Sequence, residues 1–379
     1  MFTSVRFQSE KDISGCAISG IMSESGKCFN GEQIIRSIAN MHDRSNGLGG
    51  GFAGYGIYPD HADQYALHVM YETSEAKRAA EAVVCEQCDI HADEPIPTRA
   101  LEQIRNRPIL HRYFITVKPD YLGQHYDLTP DDVVVELVMK INSSTDGAFV
   151  FSSGKNMGIF KGVGYPEEIG RFFRIDEYDA YIWTAHGRFP TNTTGWWGGA
   201  HPFGLLDWSV VHNGEISSYG RNRLFLMNFG YKCTLQTDTE VITYIFDLLM
   251  RKHKLPLHAA CVAMAPPFWS EIERMGPREQ EVARTLRMVY GGALLNGPFS
   301  VLVGNADGMI GFNDRIKLRP MCAARKLDMV YIASEEAAIR VLCDDPDDLW
   351  HARGGVPIVA RLKKPVHGSP APRPGRLTQ

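Results

Sequence analysis

Five short runs between residues 148 and 335 constrain the fold most. They are AFVFSS (148–153), AYIWTAHGRF (180–189), WSVVHNG (208–214), FSVLVGN (299–305) and DMVYIASE (328–335). All are apolar and rich in β-branched or aromatic residues, and all have strand length. Neither these runs nor any other apolar stretch reaches the roughly 18 residues that a bilayer-spanning helix requires. Residues 16–22, 66–72 and 112–118 read as further strands, and GFAGYGIYP follows a glycine-dense run at Gly47 and Gly49 to Gly51. Helical spacing marks 31–44, with Ile34, Ile35, Ile38 and Met41 on one face. Further helices are expected over 74–84, 130–143, 217–229, 237–253 and 268–290. Pro130 fits a first helical turn, and Asp131 and Asp132 suit the positive end of the helix dipole. The proline-bearing stretch 89–110 reads mostly as connection. Strands and helices in this mixture point to an α+β layered fold rather than strict βαβ alternation.

The chain has 379 residues and a net charge of −4. Without a basic excess, nucleic acid is not the expected partner, because binding phosphates needs clustered Lys and Arg. The composition, 44% hydrophobic and 22% charged, is that of an ordinary globular chain and not of a disordered one. The first fifteen residues carry Arg6, Glu10, Lys11 and Asp12 with no apolar core, so they are not a secretory signal. They read as a leader, 1–15, that processing would remove. Eight cysteines need no disulfide framework at this length, and a reducing cytoplasm is the expected compartment. No linker splits the body, 16–362, into two independent domains, and an insertion is expected around 60–145. The Pro-rich polar tail, 363–379, is expected to be disordered.

Four places could carry chemistry. Cys16 opens an apolar strand, as a small hydrophobe or as a nucleophile; a thiol needs a base, and its own α-amine would supply one if residues 1–15 were removed. Arg188 ends another strand, either as a surface cation or as a fork for a carboxylate. Asn213-Gly214 reads as a hairpin turn or as two converging N–H donors for an oxyanion. Asp238 sits in Thr237-Asp238-Thr239-Glu240, where Thr237 or Asp238 could cap a helix or Asp238 could face an ammonium group.

Taken in order, CAISGI, AHGRFPTNT, VVHNGEIS and TDTEVI resemble the class II glutamine amidotransferases, whose catalytic domain is an N-terminal-nucleophile hydrolase. RFPTNTTGWWGGAHPFGLLDWSVVHNGEIS is especially similar to the glutaminase domain of glutamate synthases, and GGGFAGYGIYP, GPFSVLVGNADGMIGFNDRIKLRPM and ASEEAAI fit the same pattern. The resemblance implies a four-layer αββα sandwich. It implies that Cys16 attacks the glutamine amide and that Asn213 and Gly214 hold the oxyanion. Arg188 would bind the α-carboxylate and Asp238 the α-ammonium. A γ-glutamyl thioester would form, ammonia would leave, and water would release glutamate. No cofactor is expected in this chain. Ammonia would pass to a partner synthase subunit of glutamate-synthase type carrying FMN and an iron–sulfur cluster. The alternatives are a non-catalytic, regulatory glutamine-binding subunit, or γ-glutamyl or methylamine transfer as in N-methylglutamate synthase.

Other features have simpler readings. Cys85-Glu-Gln-Cys88 is a single CxxC pair, structural or incidental rather than a zinc site. His186, His201 and His212 are expected to position other groups rather than act as bases. Trp196, Trp197 and the neighbouring glycines read as a loop that would cover bound glutamine.

Overall fold

A computed structural model describes residues 15–190 and 195–363. The leader up to residue 14, the tail from 364 and the segment 191–194 lie outside the described residues.

Two antiparallel sheets lie face to face. The larger has seven strands among the described residues, in the order Asp348–His351, Cys322–Lys326, Met329–Ala333, Ala17–Ser23, Ile182–Gly187, Gly50–Tyr55 and Met157–Gly162. The second has five, in the order Phe203–Leu205, Trp208–Gly214, Phe299–Asn305, Gly308–Asn313 and Ile358–Arg361. Their inner faces touch through the strand that follows Cys16. At Gly20 an added Cβ would stand 2.5 Å from the Leu302 side chain, so glycine there lets the sheets approach. The helices Glu32–Ala39 and Pro166–Phe172 cover the outer face of the large sheet, and Asp238–Phe246 covers the second. The result is a helix–sheet–sheet–helix sandwich, the α+β class that the resemblance implies.

A third sheet is inserted between two adjacent strands of the large one. The order Tyr65–Tyr71, Ser74–Gln87, Cys88–Pro95, Ile109–Val117, Pro130–Ser144, Ala148–Ser152 alternates as βαββαβ, broken by one short helix at Pro119–Gln124. Its four strands pair antiparallel with the last strand beside the first and the third on the first's other side, the split βαβ arrangement. Thr129 and Asp132 form a capping box at its second helix. Thr73 caps the first by accepting from the Ala76 N–H.

Several element boundaries differ from the sequence expectation. Residues 88–95 form an edge strand, not a connection; its charged, mostly exposed residues and terminal Pro95 hide a strand that only the neighbour Ile109–Val117 reveals. The helix expected over 31–44 stops at Ala39, with a single 3-10 turn at His42–Arg44. The helix expected over 237–253 is α only to Phe246 and continues as a π-turn from Asp247 to Lys252. The helix expected over 268–290 is two, Trp269–Ile272 and Pro277–Val289, parted at Gly276-Pro277. A helix at Leu257–Met264 lies where no element was expected. Among the described residues no helix is long and apolar enough to cross a membrane.

Candidate active site

Strand ends of both sheets and one helix start converge on a single cavity of about 340 Å³. Cys16, Arg188, Asn213, Gly214 and Asp238 all line it.

Cys16 immediately precedes a central strand of the large sheet, so its position is set by hydrogen bonding on both sides, to Ile182–Gly187 and to Met329–Ala333. Arg44 Nε donates to the Cys16 carbonyl (3.2 Å), and its guanidinium pairs with Glu335 (2.6 Å). The Phe189 N–H donates to Cys16 Sγ at 3.3 Å. Burial pushes the thiol above its ordinary value; the Phe189 N–H and the Arg188 guanidinium pull the other way but do not offset it. At neutral pH the sulfur is therefore a thiol that must lose a proton to act.

Arg188 leaves the adjacent strand end and is 6% exposed. Its N–H donates to the Gly49 carbonyl at 2.8 Å, and its own carbonyl accepts from Ser45 Oγ at 3.0 Å. A Cβ on Gly49 would sit 2.9 Å from Arg188 Cδ, so the glycine leaves room for the side chain to reach the cavity. Burial lowers the guanidinium's pKa, while the nearby Cys16 and Asp238 act to raise it.

Asn213 and Gly214 end the strand Trp208–Gly214 and pair with Ser300 and Phe299. They are therefore not a hairpin turn. Asn213 is fully buried, and among the described residues its Nδ2 makes only a long contact, 3.4 Å, to Ser334 Oγ. Gly214 is hemmed in: an added Cβ would stand 2.1 Å from the Pro298 carbonyl oxygen and 2.7 Å from His212 Nε2.

Thr237 caps the helix Asp238–Phe246, accepting from the Thr239 N–H, which leaves the Asp238 carboxylate for the cavity. That carboxylate is not isolated. Asp238 Oδ2 accepts from the Ile216 N–H at 3.0 Å, and Oδ1 lies 3.4 Å from His212 Nδ1 and accepts from Thr239 Oγ1 at 3.3 Å. Burial acts to raise its pKa, but His212, the Ile216 N–H and Thr239 together hold it below the usual carboxylate range. It is an anion with lone pairs left for a further donor.

Behind the cavity the three histidines form one buried cluster. His186 Nε2 lies 2.9 Å from the His212 carbonyl, which fixes the proton on that nitrogen, and 2.9 Å from His201 Nδ1. His201 Nε2 lies 3.0 Å from Thr239 Oγ1, which is 3.3 Å from His212 Nδ1. Burial pushes His186 down to about 3 and His201 well below the ordinary range. Both are neutral rings at neutral pH, suited to positioning Thr239 and through it Asp238, and poorly matched to general-base work there.

Sequence reasoning missed Arg319 and Ser334. Arg319 lines the cavity beside Gly15, and Ser334 Oγ accepts from the Ile18 N–H at 3.2 Å while facing Asn213. Both lie in segments that fit the family pattern, DRIKLRPM and ASEEAAI, but nothing local marks either side chain as reaching a site. Cys85 is exposed and Cys88 buried, and among the described residues no cluster of His, Cys, Asp or Glu is arranged to hold a metal ion.

What the cavity presents is a thiol, a buried cation, a buried anion and two N–H donors. This set complements a zwitterionic α-amino acid with a reactive carbonyl on its side chain.

Residues 62–228 match the family model described as glutamine amidotransferases class-II, a span that includes Arg188, Asn213 and Gly214. A protein of Archaeoglobus fulgidus is 48% identical over 93% of this chain and 94% of its own. One of Methanothermobacter thermautotrophicus, named as a glutamine amidotransferase, is 26% identical over 87% of this chain and 94% of its own. Among solved structures, a glutamine phosphoribosylpyrophosphate amidotransferase from B. subtilis superposes with a TM-score of 0.46 at 13% identity, over 91% of this chain and 47% of that one.

Proposed function

The chain belongs to the class II glutamine amidotransferases, and we propose that its cavity hydrolyses the side-chain amide of glutamine with Cys16 as nucleophile. The observation that carries this reading is the convergence of five side chains and backbone groups, from four separate segments, on one cavity of about 340 Å³.

In this scheme Arg188 takes the α-carboxylate of glutamine and Asp238 its α-ammonium, so the uncharged carboxamide is the end that meets Cys16. Sγ bonds to the amide carbon, and the carbonyl electron pair moves onto oxygen. That oxygen accepts from Asn213 Nδ2 and the Gly214 N–H. The long contact to Ser334 leaves the Asn213 amide little committed elsewhere, which suits a donor held for a transient anion. The thiol proton passes to a base and from it to the amide nitrogen. The C–N bond breaks, ammonia departs, and a γ-glutamyl thioester remains. Water then adds to the thioester, glutamate leaves, and the thiol is restored. Because burial raises the Cys16 thiol, this reading needs a base beside it. The neutral His186 and His201 do not fill that role, whereas the α-amine of Cys16, freed by cleavage after Gly15, would.

The decisive assay measures glutamate and ammonia release from glutamine by a chain that begins at Cys16. Equal yields, a mass adduct at Cys16 with a glutamine-mimicking diazo-ketone, and no turnover by Cys16→Ala are expected. Full turnover by Cys16→Ala would remove the nucleophile assignment.

We further infer that the ammonia is destined for a partner of glutamate-synthase type, on which FMN and an iron–sulfur cluster would reside. The similarity of residues 188–217 to the glutaminase domain of those enzymes supports this. Purification from the native host with a flavin-absorbing partner is the expected result; a chain isolated alone, active without any partner, would count against it.

A further inference from the structure

A second cavity, of about 470 Å³, lies where the inserted βαββαβ unit meets the turn at residues 195–200. Its volume is in the range of small-molecule sites. Tyr71, Glu72 and Phe149 enter from strand ends of the inserted sheet, Arg105 and Arg107 from the loop ahead of Ile109–Val117, and Trp196 from the turn. The Trp196 and Phe149 rings meet edge to face, with centroids 5.3 Å apart at 70°, so the two walls are aromatic and come from different parts of the fold.

The charges around this cavity differ from those elsewhere on the inserted unit. Arg112 pairs with Glu94, Arg78 with Glu75, and Arg99, just outside the inserted strands, with Asp176. Arg105 and Arg107 form no ion pair among the described residues; Arg105 Nε donates to the Glu102 carbonyl instead. Asn106 between them has φ 50°, the left-handed conformation that Asn tolerates. Among the described residues Glu72 is the one carboxylate on the lining, so two cations face one anion there.

The turn joins this cavity to the first one. The Gly199 and Ala200 N–H groups donate to the Trp196 and Trp197 carbonyls, and the Trp197 ring fills the space over Gly162. Lys161, fully buried, donates from Nζ to the Gly198 carbonyl at 2.9 Å and lies 4.1 Å from the Phe203 ring centroid. The next residue after Ala200 is His201, whose ring is bonded to Thr239 behind Asp238. Five consecutive residues, 197–201, thus connect Trp196 to the Asp238 side of the first cavity, and the buried Lys161 ties that stretch to the large sheet.

We propose that this second cavity binds a small aromatic anion, its ring against the aromatic wall that Trp196 and Phe149 form together and its acid group on Arg105 and Arg107, and that its occupancy alters glutamine affinity. Stacking of a planar group on Trp and pairing of an acid with guanidinium are the two interactions that the lining offers. The affinity half rests on the glutamine reading of the first cavity; the binding half does not.

The test is calorimetry on the chain that begins at residue 16 and carries Cys16→Ala, which removes turnover from the measurement. Indole-3-acetate, benzoate and phenyl phosphate serve as probes, up to roughly 10 mM, a range that captures millimolar affinity. At least one is expected to bind one site, with affinity falling about tenfold or more in the Arg105→Ala/Arg107→Ala double variant and in Trp196→Leu. Glutamine affinity, titrated with and without the bound probe, is expected to change by about threefold or more. No heat from any of the three probes, or binding unchanged in the double variant, overturns the site. Probe binding that leaves glutamine affinity unaltered overturns the effector role. A chain that binds a probe but no glutamine at all would instead strike the reading of the first cavity.

Discussion

Gly214→Ala tests the oxyanion assignment at its backbone half, which no side-chain deletion can reach. The added Cβ would lie 2.1 Å from the Pro298 carbonyl oxygen and 2.8 Å from Phe299 Cα, both backbone atoms of the neighbouring connection and strand. Contacts below about 3.0 Å are not tolerated, so the Gly214 backbone must move by about 0.9 Å. A donor placed at roughly 2.9 Å from an oxyanion would then stand near 3.8 Å, outside hydrogen-bond range. Loss of one such donor costs about 2.7–4 kcal/mol of transition-state stabilisation, or a hundredfold to a thousandfold in kcat. Arg188 stands on another segment, while Asp238 is held by His212 and the Ile216 N–H on either side of Gly214, so the KM for glutamine should rise by less than kcat falls. Overpacking should also cost about 1–3 kcal/mol of stability, read as a lower urea midpoint. Steady-state glutaminase kinetics together with urea denaturation separate the two effects. A variant whose kcat stays within threefold of wild type while its stability falls as expected would show that the Gly214 N–H does not hold the oxyanion.

Four further outcomes are expected. Asp238→Asn keeps an acceptor for the Ile216 N–H but loses the charge, and should raise the KM for glutamine by about 10- to 100-fold, the worth of a hydrogen bond to a charged group. Since the Asp238 carboxyl is held below its ordinary value of about 3.9, its contribution to folding is complete above that pH and is lost as pH falls through the lower native value, so neither glutamine binding nor stability should lose this contribution between pH 8 and about 5. In the chain retaining residues 1–15, iodoacetamide at pH 7.5 should label exposed Cys85 before Cys16, whose rate should rise only at higher pH; peptide mapping that finds Cys16 labelled before Cys85 would contradict its raised thiol. Burial pushes Lys161 down to about 7, below its unfolded value of about 10.4, so between those pH values the unfolded chain binds the extra proton and stability gains on the order of 1 kcal/mol per pH unit as pH rises. Glu240, pushed up to about 7 by burial, adds no slope above that pH. Lys161→Met should flatten the slope between pH 7.5 and 9.5 in urea titrations, and an unchanged slope would mean that the buried lysine keeps its ordinary value.

What could be read from residue order differs from what required the fold. The strands around Cys16, Arg188 and Asn213 were legible because each is a short run of β-branched or aromatic residues ending in a small or polar group. The family resemblance rested on the same segments, and those segments do meet at one cavity. The edge strand Cys88–Pro95 was not legible, because an edge strand buries little and needs no alternating apolar pattern. The break at Gly276-Pro277 was written in the residues but outweighed by the helical spacing on either side. The part played by Thr237 as cap could not be separated from that of Asp238, since both residue types suit the position and only the bond to the Thr239 N–H decides. Arg319, Ser334 and the links from His201 through Thr239 to Asp238 depend on contacts between residues far apart in the chain. Local pattern carries no information about such contacts. The second cavity is of the same kind, since its aromatic walls come from residues 149 and 196 and its cations from 105 and 107.

The inserted unit also bears on the order in which the chain can assemble. Gly50–Tyr55 and Met157–Gly162 are adjacent strands, Gly50 opposite Gly162, yet about a hundred residues separate their facing ends. Closing so long a flexible loop in place of a short turn would cost about 3 kcal/mol of chain entropy before these two strands paired. Within the unit, however, the first strand lies beside the last, Tyr71 opposite Ala148 and His68 opposite Ser152. Once folded, the unit presents its own two ends side by side and acts as a tight connector for the strands that flank it. Early consolidation of residues 65–152 would therefore speed the pairing of the large sheet, and with it the placement of Arg188 beside Cys16. Pulsed hydrogen exchange during refolding should find amides of Tyr65–Tyr71 and Ile109–Val117 protected before those of Gly50–Tyr55. The reverse order would mean that the long loop closes unaided.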